Sequence, residues 1–184
     1  MSIKSVVKSA LGIIRCTKNG VSAGKDVYVG KNVKFTGGKN ILLGDNVSIR
    51  PGSNLFAGGV FSVGSGTEIG ERCRFSGVKY IEIGQNVLFS PNVYITDCDH
   101  EYKDITKPII HQGTVNKDNK VIIKDNAYIG INAVIVGNVT IGKGSVIGAN
   151  SVVTHDIPDY CVAVGSPAKI IKRYNSETEM WERY

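Results

Sequence analysis

The sequence predicts an all-β protein in which short parallel strands wind into stacked triangular coils, that is, a parallel β-helix. Three observations predict this fold: an apolar side chain returns every six residues, the pattern repeats with a period of 20, and glycine is abundant. The chain has 22 glycines and 5 prolines in 184 residues, about 12% glycine against roughly 7% in ordinary proteins. Excess glycine without proline indicates many tight corners and not a flexible linker.

The spacing of six defines the strands and the corners of each predicted coil. A second, apolar or small, residue follows four positions after many of the large apolar ones, so each strand has one large and one small inward side chain. This spacing fits neither a helix nor an alternating hairpin, and a β-sandwich would not keep it. Three strands joined by Gly, Asn or Asp corners complete a coil, and coils stack about 4.8 Å apart. The large positions are Leu43, Ile49, Leu55, Val63, Ile69, Phe75, Ile83, Phe89, Ile95, Ile123, Ile129, Ile135, Ile141, Ile147 and Val153. We expect six coils, beginning at residues 23, 43, 63, 83, 123 and 141.

Composition and charge exclude several classes of protein. The net charge is +6, but five of the 22 basic residues precede the first acid, Asp26, which leaves 17 basic against 16 acidic residues in the rest. A nearly neutral body argues against nucleic-acid binding through a broad basic face. Apolar stretches are too short to span a membrane, and the start lacks a secretory signal. Four scattered cysteines predict neither disulfides nor a zinc site, so we expect a cytoplasmic protein.

Both ends of the chain are predicted to be helical. In residues 3–14 the apolar side chains recur at helical spacing. One interpretation is a helix that covers the open end of the first coil; the other is that residues 1–18 contact an anionic lipid surface at the inner face of the membrane. Ser176 and Glu179 match a capping box, which predicts a short helix in residues 175–184. The apolar stripe is Ile3, Val6, Val7, Ala10, Leu11 and Ile14. The chain thus divides into residues 1–22, a β-helix of residues 23–174, and residues 175–184.

The repeat is interrupted between Ile95 and Ile123. About one coil's length is inserted there, as an extended polar loop of residues 97–120. Long irregular excursions from a regular scaffold commonly carry function. The loop contains His100 and His111, two of the three histidines, so we expect the active site beside it.

Four segments in the second half of the chain have a distinctive pattern. They are residues 129–135 (IGINAVI), 139–142 (VTIG), 147–153 (IGANSVV) and 164–169 (VGSPAK). They resemble the hexapeptide-repeat acyltransferases, most nearly the sugar O-acetyltransferases that modify bacterial lipopolysaccharide and capsule, related to galactoside and maltose acetyltransferases. The resemblance covers about residues 23–174. It implies left-handed winding, a homotrimer with active sites between subunits, acetyl-CoA as acyl donor, a sugar or glycan acceptor, and no metal.

The resemblance places His100 at the position of the family's catalytic histidine, where the loop leaves a coil. The chemistry agrees, because transfer from a thioester needs a base for the hydroxyl proton and then an acid for the thiolate. Imidazole can do both near neutral pH, for about 10²–10⁴ in rate. Backbone N–H groups at a coil corner are expected to stabilise the oxyanion. Asp97, Asp99 or Glu101 could orient the imidazole, and the sequence does not choose between them.

The resemblance also implies two sets of binding residues. The donor would lie in a groove between subunits on the C-terminal coils, with two lysines at its phosphates where galactoside acetyltransferase has arginines. Arg74 replaces a family asparagine, which suggests an anionic acceptor, and packing within the loop is the favoured alternative for His111. The donor set is Tyr128, where many relatives have tryptophan, with Ile131, Ala149, Thr154, His155, Lys169 and Lys172. The acceptor set is Arg74, Asp97, Asp99 and His111.

We therefore predict an acetyl-CoA-dependent O-acetyltransferase that acts on a surface polysaccharide or its precursor. N-acyl transfer to a nucleotide-linked amino sugar uses nearly the same chemistry, and the sequence separates the two poorly. A non-catalytic β-helix scaffold would need neither His100 nor the 165–169 segment. A zinc lyase of the γ-carbonic anhydrase type would use His100, His111 and His155, but the close histidine pair of that family is missing. Nothing in the family pattern supports Cys98 as a nucleophile.

Overall fold

The computed structural model describes residues 3–115 and 118–184, which form one α-helix, 23 short strands and two 3-10 turns. The 3-10 turns are Gly38–Asn40 and Ile109–His111. In chain order the other elements are α1 (Ile3–Lys18), β1 (Ser22–Ala23), β2 (Tyr28–Val29), β3 (Lys34–Thr36), β4 (Ile41–Leu43), β5 (Ser48–Ile49), β6 (Asn54–Ala57), β7 (Val60–Val63), β8 (Glu68–Ile69), β9 (Arg74–Gly77), β10 (Tyr80–Ile83), β11 (Leu88–Phe89), β12 (Tyr94–Thr96), β13 (Asp99–His100), β14 (Thr114–Val115), β15 (Val121–Ile123), β16 (Tyr128–Ile129), β17 (Val134–Val136), β18 (Val139–Ile141), β19 (Val146–Ile147), β20 (Val152–Val153), β21 (Cys161–Val164), β22 (Lys169–Asn175) and β23 (Met180–Arg183).

Three sheets form the faces of the β-helix, and each coil contributes one strand to each face. Sheet A contains β1, β4, β7, β10, β15 and β18; sheet B contains β2, β5, β8, β11, β16, β19 and β21, extended by β22 and β23; sheet C contains β3, β6, β9, β12, β17 and β20. Strands of consecutive coils pair in parallel, so Ile83 lies opposite both Val63 and Ile123. The six strands of sheet A end at the six predicted coil starts, which confirms the predicted β-helix.

The inward side chains form one apolar column along the axis. Every large position predicted from the spacing of six is buried. The Phe75 ring lies between those of Phe61 and Phe89, with centroid distances of 6.4 and 5.0 Å. Cys73 lies in one of the small inward positions, and burial raises the pKa of its thiol to about 11, so this cysteine is a core residue.

Buried hydroxyl groups connect neighbouring coils inside the column. Thr67 Oγ1 donates to the carbonyl of Gly84 at 2.8 Å and accepts the backbone N–H of Val87 at 3.1 Å. Ser53 and Ser145 make the same pair of bonds in other coils. Each hydroxyl thereby satisfies two backbone groups at a corner of the next coil, groups that would otherwise be buried without partners.

Two corners of each coil require a residue with positive φ, and most of these positions hold the Gly, Asn or Asp that we expected at the corners. Asn and Asp tolerate this left-handed conformation better than other non-glycine residues. At the corner between sheets B and C, the amide of Asn92 donates to Asn132 at 3.1 Å and that of Asn132 donates to Asn150 at 3.0 Å. The positive-φ residues at the corner between sheets A and B are Asp26, Asn46, Gly66, Asn86, Asn126, Gly144 and Tyr160. Those at the corner between sheets B and C are Asn32, Gly52, Arg72, Asn92, Asn132 and Asn150.

The extended loop leaves the β-helix and returns without disturbing its register. Strand β10 pairs directly with β15, and β12 pairs with β17, as though the loop were absent. Outside the coils, β13 and β14 form a short antiparallel pair. Residues 116 and 117 of the loop lie outside the described residues.

Helix α1 is confirmed, but the face that we expected to cover the first coil is not the one that does so. The contact face contains Gly12 and Cys16, which are buried, and a Cβ on Gly12 would lie 2.0 Å from the carbonyl oxygen of Val27. The absence of a side chain at Gly12 therefore lets the helix approach the coil closely. The predicted stripe of Val7, Leu11 and Ile14 points away and is about half exposed. The side chains of Ile3 and Val6 lie outside the described part of the structure. Within residues 3–115 and 118–184, no helix has the length and apolar content needed to cross a membrane.

The predicted C-terminal helix is wrong, because residues 169–183 form an antiparallel hairpin. Strand β22 pairs with the edge of β21, and β23 pairs with β22. Asn175 Oδ1 accepts the backbone N–H of Glu177 at 2.9 Å, so Ser176 and Glu179 belong to a turn and not to a helix cap. Tyr174 lies opposite Trp181, with ring centroids 5.6 Å apart. Pairing across strands therefore overrides the local capping pattern.

We predict that Thr67→Val destabilises the β-helix by about 1–3 kcal/mol, because valine has a similar shape but leaves two buried backbone groups without a partner. For a chain of this size, that corresponds to a fall in melting temperature of about 2–12 °C in thermal unfolding followed by circular dichroism. Thr67→Ser, which keeps the hydroxyl, is the matched control and should lose less. Equal losses in the two variants would contradict a role for the hydroxyl.

Candidate functional site

The base of the extended loop is fixed by a buried carboxylate. Asp97 directly follows β12 and is only 2% exposed. Its two oxygens accept the backbone N–H groups of Val78, Lys79 and Tyr80, at 2.8, 2.7 and 2.6 Å. Charge-assisted bonds of this kind are stronger than neutral ones. Asp97 therefore holds the loop to the preceding coil, and its predicted contact with the acceptor stays a prediction.

His100 lies three residues further, on a strand outside the coils. In β13 it pairs with Thr114 of β14, and its side chain is exposed. Asp99 Oδ1 accepts the backbone N–H of His100 at 2.8 Å. The backbone on both sides of the histidine is thus ordered, while the imidazole faces solvent where a substrate can reach it.

The three carboxylates that we considered as partners of the imidazole all bind backbone amides. Asp97 and Asp99 do so as described, and Glu101 Oε1 accepts the N–H groups of Tyr102 and Lys103 at 3.0 and 3.2 Å. Asp97 is buried, and both of its oxygens are bonded to backbone N–H groups. Asp99 and Glu101, on either side of His100, are the two carboxylates that remain beside it.

The distal part of the loop is ordered by its own hydrogen bonds. The Gln112 amide accepts from the N–H of Asp104 and donates to the carbonyls of Asp104 and Lys107, at 2.8–3.0 Å. A hydrogen bond from the Thr106 hydroxyl and the nearby Lys107 ammonium lower the pKa of the Asp104 carboxyl. His111 lies in the 3-10 turn of this segment and is exposed.

An ordered loop of this kind still leaves large apolar side chains in solvent. Ile105 is 96% exposed and Ile110 is 83% exposed. Exposed apolar groups on a rigid segment indicate a surface that another molecule covers.

Residues predicted to bind the acyl donor lie partly on the outer face of sheet B. In the register of β16, β19, β21 and β22, Tyr128, Val146, Val162 and Lys172 occupy consecutive positions of one row. The Tyr128 hydroxyl lies 3.0 Å from Ser90 Oγ. The row passes from an aromatic ring over two valines to an ammonium group, which suits a ligand with an apolar arm and an anionic end.

A second part of this set lies at the adjoining edge, where sheet B turns into sheet C. Ile131 and Ala149 follow β16 and β19 by two residues, and both are exposed. Lys169 lies opposite Val164 at the same end of β21. The structure therefore brings Tyr128, Ile131, Ala149 and the two lysines to one side of the β-helix.

Thr154 and His155 lie at a different edge, where sheet C turns into sheet A. They follow β20, and Thr154 Oγ1 lies 2.9 Å from His155 Nδ1. The loop with His100 leaves from this same edge after β12, two coils earlier and thus about 10 Å away along the axis. Sheet C therefore separates the predicted donor residues into two groups, and His100 belongs to the group with Thr154 and His155.

Arg74 borders a cavity on the outer face of sheet C. The cavity has a volume of about 290 Å³ and is lined by Thr36, Asn54, Phe56, Arg74, Phe75 and Ser76. Arg74 forms no ion pair with any residue in the described ranges. The Asn54 side-chain oxygen is buried there without a hydrogen-bond partner. The cavity thus combines a cation without an ion pair, an acceptor without a partner and an aromatic ring, and the unpartnered acceptor calls for an explanation.

The sequence analysis named Arg74 but missed its neighbours in this cavity. Asn54 lies opposite Arg74, and Ser76 lies opposite Thr96, which leads directly to Asp97. The period of 20 could have identified these residues, since outward positions 20 residues apart must be adjacent.

Among residues 3–115 and 118–184, no cluster of His, Cys, Asp and Glu side chains is arranged to hold a metal ion. Two of the three histidines of the zinc hypothesis, His100 and His155, lie at one edge, and His111 lies in the distal part of the loop.

Comparison with known families and sequences identifies the repeat. Residues 120–155 match the bacterial transferase hexapeptide family (six repeats). The chain is 40% identical over 96 residues to WbbJ, a putative lipopolysaccharide biosynthesis O-acetyl transferase of Escherichia coli, covering 50% of this chain and 49% of that protein. The chain spans between about a quarter and a half of the length of such curated relatives.

Solved structures match over almost the whole chain. A variant of AntD, an N-acyltransferase from Bacillus cereus in complex with dTDP-4-amino-4,6-dideoxyglucose and coenzyme A, has a TM-score of 0.77 at 26% identity, covering 90% of this chain and 91% of that one. A hexapeptide-repeat acetyltransferase from Vibrio cholerae, complexed with acetyl coenzyme A, has a TM-score of 0.63 at 25% identity, covering 96% and 81%. The chain therefore contains hexapeptide repeats over residues 120–155, and its fold is like that of these acyltransferases, the family that its sequence resembles.

Proposed function

We propose that the protein is an acetyl-CoA-dependent O-acetyltransferase that acts on a sugar hydroxyl of a surface polysaccharide or its precursor. The observation that carries this proposal is the placement of His100. It is exposed on a short strand whose base is fixed by the buried Asp97, at the same edge as Thr154 and His155. Direct acyl transfer requires a positioned base beside the donor, and a second copy of the chain would bring His100 next to the surface suited to an extended anionic donor.

In this mechanism the imidazole of His100 accepts the proton of the acceptor hydroxyl while the hydroxyl oxygen bonds to the thioester carbonyl carbon. The carbon–sulfur bond then breaks, and the imidazolium returns the proton to the leaving thiolate. The sugar gains an acetyl ester, and no covalent acyl-enzyme forms. Asp99 holds the backbone of His100 in place, so the imidazole meets the hydroxyl with little loss of freedom at the reaction step.

The donor groove is formed by two copies of the chain. Tyr128, Ile131 and Lys172 lie on one side of sheet C, whereas Thr154 and His155 lie on the other, so one chain cannot line a single path with both groups. A second copy that brings its Thr154 edge against the Tyr128 row of the first completes the groove. Such a contact closes by rotational symmetry into a ring, and the resemblance to the hexapeptide-repeat acyltransferases makes this ring a homotrimer with three equivalent sites.

The exposed isoleucines of the loop support this assembly. Ile105 and Ile110 are almost fully exposed in a segment that its own hydrogen bonds keep ordered. Burial of these two side chains against a neighbouring copy would contribute about 1.5–3 kcal/mol each. It would also place the loop with His100 next to the neighbour's groove.

The acceptor site includes the cavity beside Arg74. The guanidinium supplies a charge-assisted donor, Asn54 supplies an acceptor for a sugar hydroxyl, and Phe56 supplies an apolar ring. This combination favours a sugar with a carboxylate over a neutral one.

N-acyl transfer to a nucleotide-linked amino sugar is the second candidate. It is supported by the likeness to AntD over nine-tenths of the chain, since that N-acyltransferase was solved with such a sugar. The same base would serve either reaction. A panel of acceptors that offer a hydroxyl, an amine or both distinguishes the two, because only the competent group supports thiol release.

We predict that His100→Ala lowers acceptor-dependent thiol release from acetyl-CoA by about 10²–10⁴, the usual contribution of a general base. Binding of acetyl-CoA, measured by calorimetry, should be nearly unchanged. Lys103→Ala, an exposed substitution in the same loop, is the control and should retain full activity. Undiminished turnover in His100→Ala would exclude this histidine as the base, and failure of the wild type to bind acetyl-CoA would leave the scaffold hypothesis.

We predict that Arg74→Ala lowers kcat/KM for sugars with a carboxylate by about 10- to 100-fold, because a hydrogen bond to a charged group contributes about 1.5–3 kcal/mol. Rates with neutral sugars should change little. Arg72→Ala is the matched control: Arg72 pairs with Glu71 at 3.2 Å and does not line the cavity. Equal rates on neutral and acidic sugars, for both the wild type and Arg74→Ala, would refute an anionic acceptor.

We predict that the double substitution Ile105→Ser, Ile110→Ser weakens the homotrimer and lowers activity with it, because it removes the apolar groups that the neighbour would bury. Sedimentation velocity should show the wild type as three chains of 19.8 kDa and the variant shifted toward one chain. A wild type that sediments as a single chain at micromolar concentration would contradict the shared groove.

A further inference from the structure

Helix α1 has two faces, and only one of them contacts the β-helix. On the inner face Gly12 and Cys16 are buried against the first coil. The Arg15 guanidinium donates to the carbonyl oxygens of Val29 and Gly30. These contacts attach the helix to the end of the β-helix in one orientation, so its outer face is presented in a defined direction.

The outer face carries an apolar stripe that no described residue covers. Val7, Leu11 and Ile14 are 51%, 48% and 49% exposed. Their spacing of four and three residues aligns them along one side of the helix, away from the side that carries Gly12 and Cys16. A surface helix normally turns such a stripe toward the core, so an outward stripe indicates a second binding partner.

The charge of the helix selects among the candidate partners. Residues 3–18 contain Lys4, Lys8, Arg15 and Lys18 and no acidic residue, while the chain after residue 25 is nearly neutral. Because Arg15 is bound to the first coil, a second copy of α1 would bring three lysines against three, which opposes association through this stripe. An anionic, apolar partner satisfies both the charges and the stripe.

We propose that α1 binds the surface of an anionic lipid bilayer, with Val7, Leu11 and Ile14 inserted at the boundary between headgroups and acyl chains. Sixteen residues extend about 24 Å, less than the hydrocarbon thickness of about 30 Å, and the charges are spread along the helix, so it lies in the plane of the interface. This proposal does not depend on the acyltransferase activity, because it rests on the helix alone.

Vesicle sedimentation with the full-length protein tests the proposal. Phosphatidylcholine vesicles containing 30% phosphatidylglycerol should bind the wild type at least tenfold more tightly than vesicles of phosphatidylcholine alone, and added salt should weaken the binding. The triple substitution Val7→Ser, Leu11→Ser, Ile14→Ser should reduce binding at least tenfold. The double substitution Leu42→Ser, Val60→Ser removes similarly exposed apolar groups from sheet A and should bind as the wild type does.

Two results would overturn the proposal. One is the absence of measurable binding of the wild type to the phosphatidylglycerol vesicles. This result would overturn the proposal even if the triple variant changed the oligomeric state in sedimentation velocity. The other is equal binding by the wild type and the triple variant, with circular dichroism showing both to be folded. Lys4→Gln, Lys8→Gln should also bind these vesicles several-fold less tightly at low salt, and unchanged binding would refute the electrostatic contribution.

Discussion

The unbroken parallel register between consecutive coils is the constraint on which the rest of this structure depends. Each strand has only two to four residues in most coils, so no single strand pair is stable by itself. Stability comes from repetition, because every coil presents its backbone groups and its inward side chains to the next. The buried hydroxyls of Ser53, Thr67 and Ser145 strengthen this connection at the corners. The same register also arranges outward side chains in rows, and these rows form the candidate binding surfaces.

Much of the β-helix could be predicted from the sequence because its physics is periodic. Every coil must bury one large and one small residue per strand, and corners with positive φ favour Gly, Asn or Asp, so the pattern of one coil predicts the next. The two ends could not be predicted in this way, because no repeat constrains them. In α1 the apolar stripe suggested the contact face, yet close approach at Gly12 decided it. At the C-terminus the capping pattern of Ser176 and Glu179 competed with the free edge of β21, and strand pairing prevailed.

The candidate site, too, could be predicted only in part from the sequence. His100 could be identified from the resemblance together with its place at the start of the loop. The roles of the carboxylates around it could not, because Asp97, Asp99 and Glu101 lie within five residues and only the folded chain separates a buried one from its exposed neighbours. The sequence also could not show that the residues predicted to bind the donor lie at two edges, since sequence order does not reveal that sheet C lies between Tyr128 and Thr154. The cavity at Arg74 required the rows to be followed on the outer surface as well as on the inner one.

The loop that carries His100 leaves the β-helix and returns to it while Ile83 and Ile123 pair as neighbours. The geometry of the coils therefore does not fix the length of this loop, and closing a longer loop costs little extra entropy. Insertions or deletions between its ends could reshape the surroundings of the histidine while the coils keep their register. Such a division gives evolution a separate segment whose sequence and length can change on one unchanged framework.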